Sequence, residues 1–161
     1  MQTQVTQDVP NKKLTFVREF NAPVEKVWNA WTQSEYLDQW WAPKPWKART
    51  KSMDFSEGGK WIYAMVGPDG AEMWAMVEYQ KIVNHKMYEA TDAFSDENGN
   101  VSTEFPNMKW KNSFSTTDKG TEVHIEVNFK SEADMETIVK MGVIEGFTAA
   151  HGNLDEVLAS M

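Results

Sequence analysis

Residues 131–160, SEADMETIVKMGVIEGFTAAHGNLDEVLAS, read as one long helix, and that reading decides the fold. Ser131 and Asp134 have the serine-x-x-acid spacing of a capping box. At about 100° per residue, Met135, Val139, Gly142, Val143, Gly146, Ala149, Ala150, Asn153, Leu154 and Val157 share one side, and most carboxylates lie elsewhere. Such a side packs against a sheet built from the rest of the chain. Its middle, however, is Gly142, Gly146 and Ala150, and a helix-interior glycine costs roughly 1 kcal/mol relative to alanine. Two compensations are open: a backbone lying close against the sheet, or small residues that leave room for a guest molecule.

Upstream of that helix, Leu14, Phe16, Arg18 and Phe20 alternate with Thr15, Val17 and Glu19, which predicts a first strand from about Lys12 to Phe20. Asn21-Ala22-Pro23 then opens a helix, with Val24, Val27, Trp28 and Trp31 at helical spacing. Ser34 is placed to cap a second short helix through Trp41, ended by Pro43 and Pro45. From Trp46 to Phe129 six strands follow as a meander. They are separated by Ser56-Glu57-Gly58-Gly59, Gly67-Pro68-Asp69-Gly70, Asn84-His85, Asp96-Glu97-Asn98-Gly99 and Thr117-Asp118-Lys119-Gly120.

Charge and parity predict which side chains point inward. Lys47, Arg49 and Lys51 belong in water, so Trp46, Ala48, Thr50, Ser52 and Asp54 face the core. A hairpin with an even-numbered loop at Gly58-Gly59 adds Trp61, Tyr63 and Met65. An unbulged hairpin across Pro68-Asp69 then sets Tyr63 opposite Trp74 and Trp61 opposite Met76, with Glu72 and Glu78 on the same side. In the last hairpin Val123, Ile125 and Val127 are inside, which brings Trp110, Asn112 and Phe114 inward and leaves Lys111 opposite Glu126. The inner face is thus aromatic and methionine-rich with few polar groups, the usual lining of a small-molecule site. Two readings follow: a concavity facing Gly142, Gly146 and Ala150, or large rings that fill the same space.

The totals narrow the function. A chain of 161 residues is long enough for one domain with a substantial core. With 16 basic and 24 acidic side chains the formal charge is −8, which repels nucleic-acid backbones and anionic membranes. The chain has no cysteine, which excludes disulfides and thiolate metal sites. Met1 to Pro10 is polar and lacks the regions of a signal peptide, and no apolar run approaches the roughly 20 residues of a membrane span. Residues 1–11 are expected as a loose tail and 12–161 as a single soluble, cytoplasmic domain. The 8 tryptophans and 10 methionines suit pocket walls as well as cores.

Catalytic signatures are sparse. His85 falls in a turn, His124 on an outer strand face and His151 late in the last helix; their spacing matches no metal motif, so all three are expected at the surface and no metal or other cofactor is expected. No serine sits in a G-x-S-x-G context, and the glycine turns lack the helix and lysine of a phosphate loop. Asp54, Glu72 and Glu78 are the candidates for acid or base work, should aromatic walls enclose one of them. Trp40 and Trp41, before the proline pair, are candidates for a lid. Met53 and Ile62 on the outer face are too few for a partner patch.

Several segments together resemble a known family. They are Phe20-Asn21-Ala22-Pro23-Val24-Glu25-Lys26-Val27-Trp28, Trp40-Trp41-Ala42-Pro43, Gly58-Gly59-Lys60-Trp61-Ile62-Tyr63-Ala64-Met65, Gly67-Pro68-Asp69-Gly70, Tyr79-Gln80-Lys81-Ile82 and Glu145-Gly146-Phe147. In that order they are similar to the activator-of-heat-shock-protein-ATPase homologue family. It sits in the helix-grip superfamily with START lipid-transfer domains, the birch-pollen allergen and the polyketide cyclases. The resemblance covers roughly Lys12 to Ser160. It implies an α+β fold with a seven-stranded antiparallel curved sheet wrapped round the long C-terminal helix, two short helices after the first strand, and a hydrophobic cavity between helix and sheet.

The leading expectation is a binding or carrier domain for an apolar or aromatic molecule. Its contacts are expected from Trp41, Trp46, Thr50, Ser52, Trp61, Tyr63, Met65, Trp74, Met76, Glu78, Trp110, Asn112, Phe114, Gly142, Gly146 and Ala150. A cyclase- or hydratase-type enzyme using Glu78 or Asp54 as base is the second reading. A chaperone-binding module is the third, although the activators that name the family carry an additional N-terminal domain that engages the chaperone. A homodimer is compatible with the sequence; nucleic-acid and membrane partners are not expected.

Overall fold

The period-two pattern around Phe16 becomes a strand inside the sheet. In the computed structural model, which describes residues 2–161, β1 (Gln4–Asp8) pairs antiparallel with β2 (Lys13–Phe20). Leu14, Phe16, Arg18 and Phe20 of β2 are buried. The presence of β1 corrects two expectations. Residues 4–8 form a strand where a loose tail was expected, and the sheet has eight strands, not seven. Gln4, Thr6 and Gln7 give no apolar alternation, so this strand rests on backbone pairing along β2 and on Val5, which packs partly against the core. Asp8 closes the turn by accepting hydrogen bonds from the Asn11 backbone amide at 3.3 Å and side-chain amide at 2.8 Å.

After β2, Pro23 holds the N-cap position of α1 (Val24–Thr32), whose buried face is Val27, Trp28, Ala30 and Trp31. In α2 (Ser34–Trp40) the N-cap is Gln33, so Ser34, expected as the cap, is the first helical residue. The two helices are tied together where the Trp40 indole donates to the Ala30 carbonyl at 2.9 Å.

Six strands follow: β3 (Lys47–Met53), β4 (Lys60–Val66), β5 (Glu72–Val83), β6 (Met87–Phe94), β7 (Met108–Thr116) and β8 (Thr121–Asn128). All pairs are antiparallel, in the order β1-β2-β8-β7-β6-β5-β4-β3, so the meander ends beside β2. Two registers differ from expectation. The connection from Val66 to Glu72 is one residue longer than an unbulged Pro68-Asp69 hairpin allows. Tyr63 therefore lies opposite Ala75 and Trp61 opposite Val77, turning Ala75, Val77 and Tyr79 inward and Trp74, Met76 and Glu78 to the other face. Along β3 a bulge between Thr50 and Ser52 reverses parity, so Ser52 is exposed and Met53, half-buried against the core, is opposite Trp61. The β7–β8 hairpin has the expected register, with Trp110, Asn112 and Phe114 opposite Val127, Ile125 and Val123.

The C-terminal stretch lies against the inner face, yet it is two helices rather than one. Ser131 caps α3 (Glu132–Lys140), its hydroxyl accepting from the Asp134 amide at 3.0 Å. Gly142 then takes φ 92° and ψ 24° before α4 (Val143–Ser160) begins. This left-handed conformation accounts for one of the glycines: it is no helix-interior residue but the joint between helices. Gly142→Ala has room, since the added Cβ would find only Glu145 Oε2 at 3.8 Å. It should nevertheless cost about 1–2 kcal/mol through φ alone, measurable by urea denaturation. The buried face of α4 is Phe147, Ala150, His151, Asn153, Leu154, Val157 and Leu158; Ala149, expected inside, is exposed.

Candidate functional site

Between the inner face of the sheet and the two C-terminal helices lies a pocket of about 370 Å³. Trp41, Pro43 and Trp46 wall it from the segment after α2. Tyr63 and Met65 come from β4, Met73 and Ala75 from β5, Asp92 and Phe94 from β6, and Met108 and Trp110 from β7. Ile138 of α3, Met141 and Gly142 at the joint, and Val143, Gly146 and Phe147 of α4 complete it. Met73 and Met141 are exposed and mark the rim. A much smaller void of about 20 Å³ lies deeper, bounded by Trp41, Trp61, Val77, Tyr88, Ala90, Asp92, Trp110 and Asn112.

Of the residues expected to make a site, Trp41, Trp46, Tyr63, Met65, Trp110, Gly142 and Gly146 come together around the larger pocket, and Trp61 and Asn112 around the smaller void. The others do not line either. The β4–β5 register turns Trp74 toward Arg49, whose guanidinium lies 5.8 Å from the Trp74 ring centroid, and turns Met76 and Glu78 to the same outer side. Ser52 is exposed beyond its bulge. Thr50 is used structurally: it accepts from the Trp61 indole at 3.0 Å and donates to Asp38 at 2.6 Å. Phe114 packs edge-on against Trp28 and Trp31, and Ala150 is fully buried in the core. Gly146 faces Pro43, whose Cγ would lie 3.6 Å from an added Cβ, so the backbone is near this wall without being pressed on it.

The expected acids are misplaced as a group. Asp54 is exposed and accepts from the Ser56 hydroxyl, Glu72 pairs with Arg49 at the surface, and Glu78 lies on the outer face. The carboxylate inside is Asp92, which the sequence reading passed over. A signal was there: Tyr88, Ala90, Asp92 and Phe94 alternate, and the buried Tyr88 and Ala90 fix the parity that sends Asp92 inward. Asp92 is 9% exposed, and burial pushes its pKa up to about 7. The Ala93 backbone amide and the Trp110 indole pull the other way, although the Trp110 N–H lacks a full hydrogen bond.

Polar groups beside it are held firmly. Trp41 Nε1 donates to the Tyr63 hydroxyl at 2.9 Å, fixing an indole that contacts Trp61, Trp110 and Phe147 at ring separations of 5.4–6.3 Å. Burial and then the negative charge of Asp92 raise the Tyr63 phenol well above its ordinary pKa, so this hydroxyl stays protonated. Trp40, expected with Trp41 as a lid, is fully buried and packs the core.

His151 is a further correction. It is 0% exposed rather than at the surface, with its ring 4.4 Å from Phe147 and 5.7 Å from Phe20. Its Nδ1 lies 2.8 Å from the Thr3 hydroxyl and its carbonyl accepts from Arg18, which also forms a two-pronged pair with Asp155. Burial, then the nearby Arg18 charge, lowers its pKa to about 3. Among the described residues no group of three or more His, Cys, Asp or Glu could hold a metal ion. Nor is any helix of the described residues long and apolar enough to cross a membrane.

Comparison with known proteins places this geometry in a group. The family model described as Activator of Hsp90 ATPase homolog 1-like protein matches residues 21–159. A solution structure of a protein from Arthrobacter aurescens is 31% identical with a TM-score of 0.92, the match covering 98% of this chain and 92% of that one. The crystal structure of protein Ms6760 from Mycobacterium smegmatis is 29% identical with a TM-score of 0.90, covering 99% and 98%. The AHSA1 protein of Silicibacter pomeroyi, 17% identical with a TM-score of 0.72 over 92% and 98%, shares the fold. No curated protein matches.

Proposed function

Because the chain belongs to the Activator of Hsp90 ATPase homolog 1-like family, whose fold is consistent with ligand-binding and carrier domains, we propose that it binds one small apolar or aromatic molecule between the sheet and the C-terminal helices. The observation that carries this reading is the lining: indole, phenyl and thioether groups surround a space of about 370 Å³, with Asp92 and the Tyr63 hydroxyl as the polar groups of its wall. Small-molecule sites have this character, with volumes of roughly 300–1,000 Å³. Trp41 and Trp110 are both held in edge contacts with Phe147, which leaves the site largely formed before a guest arrives and limits the ordering cost of binding.

Tryptophan fluorescence reports occupancy directly, since Trp41, Trp46 and Trp110 all line the pocket. A neutral probe, 1-naphthalenemethanol, should quench it saturably. Gly146→Leu tests the location: its Cβ fits beside Pro43, while the isobutyl group extends into the space the probe needs. The variant should keep its far-UV circular dichroism and bind at least about tenfold more weakly, a loss of about 1.4 kcal/mol. Unchanged affinity in a folded Gly146→Leu protein would move the ligand elsewhere.

A further inference from the structure

The wall of the pocket contains one ionisable acid and, among its lining residues, no basic one. Asp92 enters from near the C-terminal end of β6, between Val77 of β5 and Met108 of β7, and no ion pair holds it among the described residues. The groups that act on it or surround it are neutral. Tyr63 comes from β4, Tyr79 from β5, Tyr88 from its own strand and Trp110 from β7. All three phenols are kept protonated by burial. The helices and the segment after α2 add Ile138, Met141, Phe147 and Trp41 to the pocket, none of which titrates. A buried carboxylate with no countercharge is costly, and a bound cation would remove that cost. The rings around it suit a cation equally well, because the π faces of tryptophan and tyrosine attract ammonium groups within about 6 Å. An anionic guest would meet only repulsion, both from Asp92 and from a chain of formal charge −8.

We propose that the pocket selects an organic cation, an aromatic or alkyl body bearing one ammonium group, with the nitrogen seated against Asp92 beside Trp41, Tyr63 and Trp110. This rests on the reading of the pocket as a small-molecule site and adds the chemical class of the guest. Binding is coupled to a proton: where Asp92 starts as the acid, the ammonium displaces the carboxyl proton to solvent and an ion pair replaces the O–H group. Affinity for a cation therefore rises with pH through the neutral range, while affinity for a neutral guest does not.

Three probes that share one ring separate the possibilities: 1-naphthylmethylamine, which stays protonated over the range used, neutral 1-naphthalenemethanol and anionic 1-naphthoate. Each is titrated calorimetrically into the protein and into Asp92→Asn at pH 6 and pH 8. At pH 8 the amine should bind at least tenfold more tightly than the alcohol, and the naphthoate most weakly. The advantage of the amine should shrink at pH 6 and vanish in Asp92→Asn, where the alcohol still binds. Equal affinity of amine and alcohol for the unsubstituted protein at pH 8 overturns the cation assignment and leaves the pocket intact. Failure of all three to bind overturns both readings. The comparison of probes on the unsubstituted protein decides the matter even if Asp92→Asn does not fold.

Discussion

Asp92→Asn should make the protein more stable at pH 8 by on the order of 4 kcal/mol, an unusual gain for a single substitution. The cause is the buried acid itself. In the unfolded chain the Asp92 carboxyl ionises near 3.8, whereas burial holds its folded pKa near 7. Between those values the folded state carries the extra proton, so stability falls as pH rises through the window, by about 1.4 kcal/mol per pH unit, and levels off above it. Asparagine has the same shape, can accept from the Ala93 amide and the Trp110 indole, and never ionises. The variant should match the original at pH 4, pull ahead through pH 5 and 6, and hold a constant lead beyond pH 7. Urea unfolding at a series of pH values measures this, and a difference that does not depend on pH would refute the assignment. A residue so expensive at neutral pH has the signature of a functional group kept at the expense of stability.

The parts of this fold that were legible in the sequence are those in which one signal dominates. Alternation placed Phe16 and Ile125 inside, Pro23 placed the start of α1, and Ser131 placed the cap of α3, because each of these is decided by a few local residues. Parity carried from one hairpin to the next is different, since a single added residue inverts every later assignment. The longer Val66–Glu72 connection inverted Trp74, Met76 and Glu78, and the bulge after Thr50 inverted Ser52 and Met53. The helix break had a local sign, Met141-Gly142, but two helices joined by one left-handed glycine keep nearly the same apolar periodicity as one. Asp92 and His151 were missed for a shared reason: acids and histidines are ordinarily placed in water, and both are buried where neighbouring rings, brought in from distant elements, exclude it. β1 has no apolar pattern, because its partner supplies what its side chains do not.

The second large effect belongs to His151 and has the opposite sign. Its ring is shut among Phe16, Phe20, Trp31 and Phe147, and Arg18 adds a positive charge nearby. The unfolded chain takes up a proton near 6.5, while the folded state refuses it until about 3. The unfolded state therefore binds more protons between these values, and stability present above the window is lost as pH falls through it, by about 1.4 kcal/mol per pH unit and on the order of 4–5 kcal/mol in all. His151→Leu removes that dependence. It gives up the contact with Thr3, which is half-buried and can turn to water, and it also removes Nε2, a buried nitrogen without a partner among the described residues. At pH 7 the variant should lie within about 1 kcal/mol of the original, and at pH 4 it should be more stable by about 3 kcal/mol. The windows of Asp92 and His151 overlap from about pH 4 to 6.5 with slopes of nearly equal size, so in the original protein the two nearly cancel. Each single variant should expose a slope that the other residue had hidden, falling with acid in Asp92→Asn and rising with acid in His151→Leu, and the double variant should return to the original slope. Unfolding free energies of all four proteins at pH 4, 5, 6 and 7 test the cancellation. Parallel profiles for the original and either single variant would show that the corresponding residue does not titrate with folding.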